Sequence, residues 1–149
     1  MGNFCAMKQA GFTLFESIVV LLITSIIMLV SAQVQTVQTA NYELRYFMKE
    51  LTSEIEQAQN TAVITGKSFV VERKIKDQRI SYSFTQEGKP PSVVQQPASV
   101  TGPLINSFWI KGYSGYIQPD TLIFYNENIR MRLSFQFGWG RFELEETKK

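Results

Sequence analysis

From Ser17 to Ala32 the chain reads SIVVLLITSIIMLVSA without a charge, and no other feature limits the possible folds as strongly. Extended back to Phe12, the run contains one charged residue, Glu16. At about 1.5 Å per residue this stretch makes a helix of roughly 31 Å, close to the hydrocarbon thickness of a bilayer. A helix that is apolar on every side needs lipid or a large protein core around it. A chain of 149 residues leaves too little material to build that core. The run therefore predicts a membrane span over residues 12–32. Lys8 is the only charged side chain before Glu16, and the next charges after it are Glu43 and Arg45. This asymmetry puts the amino terminus in the cytoplasm and the remainder outside.

A cleavable secretory signal is the competing explanation. Val30-Ser31-Ala32 has the small-residue pattern of such cleavage sites, Lys8 supplies a positive flank, and cleavage there would release a protein starting at Gln33. Glu16 opposes it, because a carboxylate at the start of the apolar region weakens insertion by about 2.5 kcal/mol or more if it reaches the bilayer centre, and by somewhat less near its edge.

Composition removes several function classes. The chain has no histidine, which excludes imidazole metal sites and His-based triads. Its one cysteine, Cys5, can form neither an intramolecular disulfide nor a thiolate cluster. A formal net charge of +2, from 15 basic and 13 acidic side chains, selects no nucleic acid or anionic surface by bulk electrostatics. No spacing singles out an acid–base pair, so the chain is expected to be neither an enzyme nor a cofactor carrier.

The segment Gly11-Phe12-Thr13-Leu14-Phe15-Glu16, leading directly into the apolar run, resembles the processing and assembly signature of type IV prepilins and pseudopilins. The resemblance implies that a prepilin peptidase cuts between Gly11 and Phe12 and methylates the new amino terminus at Phe12. Residues 1–11 would then be a leader, lost together with Cys5. It also implies that Glu16 acts in subunit assembly, with other pilin or pseudopilin subunits and the pilus assembly machinery as partners. Physical arguments run alongside. Gly11 has no Cβ, so an extended backbone there can approach a protease closely, although a glycine can also simply mark a helix boundary. Thr13 and Glu16 also fit a capping box, in which Glu16 serves a backbone N–H near the helix start. A glutamine would cap as well, so capping gives no reason for a charge beside hydrocarbon, and intramembrane carboxylates are usually functional.

Major pilins often carry a proline in the membrane helix and a cysteine pair near the carboxyl end. This chain has no proline before Pro90 and only Cys5, which favours a minor pilin or pseudopilin. Its size and the segment Tyr125-Asn126-Glu127-Asn128-Ile129 resemble the minor pseudopilins of Gram-positive competence systems, whose filaments take up DNA. A type II secretion pseudopilin is the neighbouring alternative. From another class, a secreted or anchored β-rich binding domain or hydrolase unrelated to pili also fits the pattern.

Beyond Ala32 the pattern becomes amphipathic. Val34, Val37, Asn41, Leu44, Met48, Leu51, Ile55, Ala58 and Ala62 recur at steps of three and four, and no Gly or Pro interrupts Phe12 to Thr65. One helix is expected to continue over 33–65 and to stop at Gly66 as a C-cap. Asn41 and the alanines make packing on the chain's own sheet a better reading than a coiled coil. Residues 66–149 read as a β-rich globular part. Its expected strands are Ser68–Arg73, Arg79–Phe84, Thr121–Tyr125, Ile129–Phe137 and Arg141–Glu145. The turns expected are Lys74–Gln78, Asn126–Asn128 and Gly138-Trp139-Gly140, while Gly88–Pro103, with four of the five prolines, reads as a long loop. The fold class expected is α+β: a long amino-terminal helix packed by its outer half on a small antiparallel sheet. Gly66-Lys67-Ser68 lacks the upstream glycine of a phosphate-binding loop. Arg73, Lys74, Lys76 and Arg79, with Arg130, Arg132 and Arg141, could contact DNA phosphates with Trp139 stacking nearby, but interspersed acids favour a solvated sheet edge.

Overall fold

The computed structural model describes residues 14–118, 120–136 and 141–149, with the side chains of 31–38 left aside. Two compact units divide after Thr36. Helix α1, Leu14–Thr65, contributes to both.

In the second unit the apolar stripe of α1 becomes the middle of the core. Leu44, Met48, Leu51, Ile55, Ala58 and Ala62 are all buried, as their spacing predicts, and Phe47 joins them. Asn41, the polar member of the stripe, receives hydrogen bonds from the side-chain amides of Asn126 at 3.1 Å and Asn128 at 3.4 Å. It is therefore a docking point for a turn, which explains a polar residue in an apolar row. At the other end Gly66 adopts φ 70°, the left-handed conformation that ends a helix cheaply only with glycine. The Ala62 carbonyl there accepts from the Gly66 N–H at 2.9 Å and the Tyr113 N–H at 3.1 Å.

Seven strands follow: β1 Phe69–Lys76, β2 Arg79–Gln86, β3 Ser92–Gln96, β4 Ser107–Ile110, β5 Thr121–Tyr125, β6 Ile129–Phe135 and β7 Phe142–Lys148. They are all antiparallel and pack on the helix, giving the expected α+β fold, with the sheet divided in two, ordered β3-β2-β1-β4 and β5-β6-β7. The first hairpin is tighter than the expected five-residue turn. β1 runs on to Lys76, which pairs with Arg79, and only Asp77 and Gln78 turn, at φ 50° and 62°. Positive φ at both central residues matches the twist of the flanking strands. The expected loop Gly88–Pro103 is corrected: it contains β3, and Thr101 bridges to Tyr125. β4 was also absent from the expected set, and β7 extends three residues past Glu145. In β6 the alternation holds: Ile129, Met131, Leu133 and Phe135 are buried, whereas Arg130 and Arg132 are exposed. Phe137 and the turn Gly138-Trp139-Gly140 lie outside the described residues.

The helix and both sheets meet at three rings. Phe47 lies 6.1 Å from Tyr82 of β2 and 5.4 Å from Phe124 of β5, and Tyr82 and Phe124 are 5.9 Å apart, centroid to centroid. Each such pair adds about 0.5–1.5 kcal/mol to the effect of burial. Burial pushes the Tyr82 phenol up to about 12, partly opposed by the neighbouring Arg73 guanidinium. The hydroxyl thus stays protonated and donates to Gln96 Oε1 at 3.4 Å. On the opposite flank Arg45 grips Glu146 of β7 through two bonds, Nε to Oε2 at 2.9 Å and Nη2 to Oε1 at 2.7 Å.

Candidate functional site

The expected processing residues Gly11 and Phe12 lie outside the described residues, as does Thr13, the other half of the capping box. Glu16 lies in the first turn of α1, where a carboxylate complements the positive end of the helix dipole. Every described side chain from Leu14 to Val30 is exposed, including Phe15 at 76%, Leu21 at 66% and Met28 at 75%. Transfer of each such side chain out of water is worth about 1.5–3 kcal/mol, so this surface strongly favours lipid or a protein neighbour.

The hydroxyls within the run suit either setting. Thr24 Oγ1 donates to the carbonyls of Val20 and Leu21, each at 3.0 Å, and Ser25 Oγ donates to Leu21 O at 2.7 Å. Their polar hydrogens are spent inside the helix and bring no unsatisfied donor into an apolar medium. Among the described residues no helix is long and apolar enough to cross a membrane.

Three of the cationic residues proposed for phosphate contact have protein surroundings of their own. Arg73 tucks its Nε into the interior beside Tyr82. Lys74 sits 3.5 Å from Glu72, and Arg132 lies 4.0 Å from Glu145 across the β6–β7 ladder. That ladder also sets Ser134 against Glu143 and Arg130 against Thr147. Trp139 lies outside the described residues. A cleft of about 690 Å³ beside β4 has an apolar floor including Ile117, Leu122 and Phe135, and its charged lining groups are Lys111 and Asp120. Asp120 Oδ1 already accepts the Thr121 N–H at 2.7 Å, and Lys111 Nζ lies 5.3 Å over the Tyr116 ring.

Sequence reasoning missed the importance of Asn126 because it treated Tyr125–Ile129 as a marker and a turn. Asn126 is 5% exposed and fully engaged. Its Oδ1 accepts the N–H groups of Asn128 and Ile129 at 2.9 and 2.8 Å, and its Nδ2 donates to Ala40 O and Asn41 Oδ1 at 3.0 and 3.1 Å. The signal was present: an Asn at a turn between two alternating strands, opposite a lone Asn in an apolar helical stripe.

Comparison with curated proteins returns no match. Among solved structures, the chain resembles that described as the minor pseudopilin EpsH from the Type 2 Secretion System of Vibrio cholerae. Identity is 13% and the TM-score 0.49, covering 65% of this chain and 91% of that one. Residues 6–32 match the family described as the prokaryotic N-terminal methylation motif, which supports a pilin-like amino terminus on this chain.

Proposed function

We propose that the chain is a minor subunit of a type IV pilus-like filament, processed between Gly11 and Phe12 and anchored by the apolar part of α1 before assembly. The methylation motif over residues 6–32 carries this reading. The exposed apolar surface of Leu14–Val30 supports it, since parallel helices of neighbouring subunits or lipid would cover that surface. The globular unit then lies on the extracytoplasmic side. The role is structural: the chain supplies a packing helix and a folded head, and no step of chemistry. Within filament classes the competence, DNA-uptake assignment rests on chain size and Tyr125–Ile129. The buried work of Asn126 gives that segment a folding role of its own. Lys74 and Arg132 each lie beside a glutamate, so on this reading uptake depends on the assembled filament.

Glu16 provides the test. In a staggered bundle of parallel helices, its carboxylate can meet the free amine of Phe12 on a neighbour, an attraction strengthened by low dielectric. Glu16→Gln retains capping capacity and loses the charge. The expected result is normal leader removal and membrane recovery with sharply reduced recovery in sheared filaments or crosslinked partner complexes. Normal assembly of the Gln variant would overturn the charge-pairing role. A Gly11→Leu chain that still runs at mature size in cells containing the peptidase would overturn the processing junction.

A further inference from the structure

The two sheets have four outer strands; two are bridged by other backbone at one end, and a third is strongly charged. At β4, Ile110 bridges to Ile117, and the Lys111 N–H donates to Tyr116 O at 2.9 Å. At β5, Tyr125 exchanges both backbone bonds with Thr101, at 2.8 and 2.9 Å. β7 carries Glu143, Glu145, Glu146 and Lys148, the charged composition that discourages strand addition. β3 differs. It reads Ser-Val-Val-Gln-Gln without a charge, pairs with β2 on one side, and among the described residues receives no backbone hydrogen bond on the other. Val93 is half exposed, and Pro90, Pro91 and Pro97 confine the open stretch to this strand. Its free N–H and C=O groups form an alternating row that an extended backbone satisfies better than any side chain.

The helix beside this strand sets the chemistry of what can approach. Glu54 accepts from Ser92 Oγ at 2.7 Å at the start of β3, and Glu43 accepts from Ser99 Oγ just beyond its end. β3 therefore runs along one flank of α1. Glu50 lies on that same flank, seven residues from Glu43 and four from Glu54, and is exposed. Lys89, before the strand, is the cation near its Ser92 end. A strand added to β3 would thus face an open backbone edge with three carboxylates alongside.

We infer that the free edge of β3 is an interaction surface that accepts one extended strand from a different polypeptide, with Lys or Arg at alternate positions facing Glu43, Glu50 and Glu54. A second copy of this chain is a poor occupant. Its β3 would bring the same acidic flank, and its β7 would add further glutamates. The inference deepens the filament-subunit reading, on which the identity of the donor as another subunit rests, by assigning a lateral contact to the folded head.

The test uses the full chain in detergent micelles and two synthetic ten-residue strand peptides, alternating Lys or Glu with Val and Thr. Amide hydrogen exchange is read over residues 92–96. The lysine peptide is expected to slow exchange there and to bind at least tenfold more tightly than the glutamate peptide. The exposed substitution Glu50→Lys is expected to narrow that preference without changing thermal unfolding. Absence of protection at 92–96 with either peptide overturns the edge site, and equal binding of both peptides overturns its charge selectivity. Leader cleavage and Glu16-dependent assembly do not involve β3, so failure here and failure of the filament reading are separate results.

Discussion

Replacement of Asn126 by Ala should be the most damaging single polar change in the globular unit. The side chain closes the β5–β6 turn through two bonds to Asn128 N and Ile129 N, and pins that turn to α1 through two more, to Ala40 O and Asn41 Oδ1. A net hydrogen bond is worth about 0.5–1.5 kcal/mol, and a buried donor left without a partner costs about 1–3 kcal/mol. The Ile129 amide lies in the interior and stays unpaired in the variant, whereas Asn41 is half-buried and can recover a water. The expected loss is about 2–4 kcal/mol, or roughly a 10 °C fall in the unfolding midpoint for a unit of this size. Near-ultraviolet circular dichroism of the detergent-solubilised chain reads it directly. Asn126→Asp keeps the acceptor, loses the donor and sets a carboxylate against Ala40 O, so it should also destabilise. Asn126→Ala and Asn41→Ala should be coupled by at least about 0.5 kcal/mol in a double-mutant cycle. A loss of less than about 0.5 kcal/mol for Asn126→Ala, or strict additivity with Asn41→Ala, would refute this account of the turn.

Three other perturbations follow from the same structure. Leu51→Ala empties a buried core position and should cost about 2–5 kcal/mol, while Lys49→Ala on the exposed side should be near neutral; equal thermal shifts would show that the buried face is misassigned. Gly112→Ala should destabilise strongly although its φ is ordinary, because a Cβ would sit 2.1 Å from Gly66 O, a backbone atom that can yield only by moving the helix cap. A crystal structure of that variant with an unmoved 62–66 segment would contradict the argument. The Arg45 hydrogen bonds hold the Glu146 carboxyl below its ordinary 4.5. The pair's stabilisation is therefore complete above the unfolded-state value and disappears as pH falls through the lower folded value. The midpoint difference between wild type and Glu146→Gln should shrink on acidification below pH 4.5, and a difference that grows would reverse the assigned sign.

What was legible in the sequence depended on how many independent forces wrote each element. The buried half of α1 could be read because core contact recurs every three or four residues, and the left-handed cap at Gly66 confirmed its end. Phe47 was missed since the expected stripe was one residue wide, whereas two sheets embrace the helix and widen its buried face. β6 was legible because one side is fully buried and the other wet. β3 was not, and its position explains why. An outer strand needs pairing on only one side, tolerates flanking prolines, and here buries only Val94 and Gln96 while exposing Val93 and Gln95. Four residues of β4 give too short an alternation to distinguish from loop; their partner β1 lies more than thirty residues away in sequence.

The amino-terminal proposal rests on a different kind of signal. Gly11, Phe12 and Glu16 form a short local motif, so the resemblance can be read from the sequence without any long-range contact, while Gly11 and Phe12 lie outside the described residues and Glu16 sits in the first turn of α1. Within the globular unit the outer side of β3 gives a register argument of its own. A strand added there and shifted by one residue, about 3.3 Å, would present its opposite face, so its basic side chains would turn away from Glu43, Glu50 and Glu54, and only the matched register would keep the charge pairing.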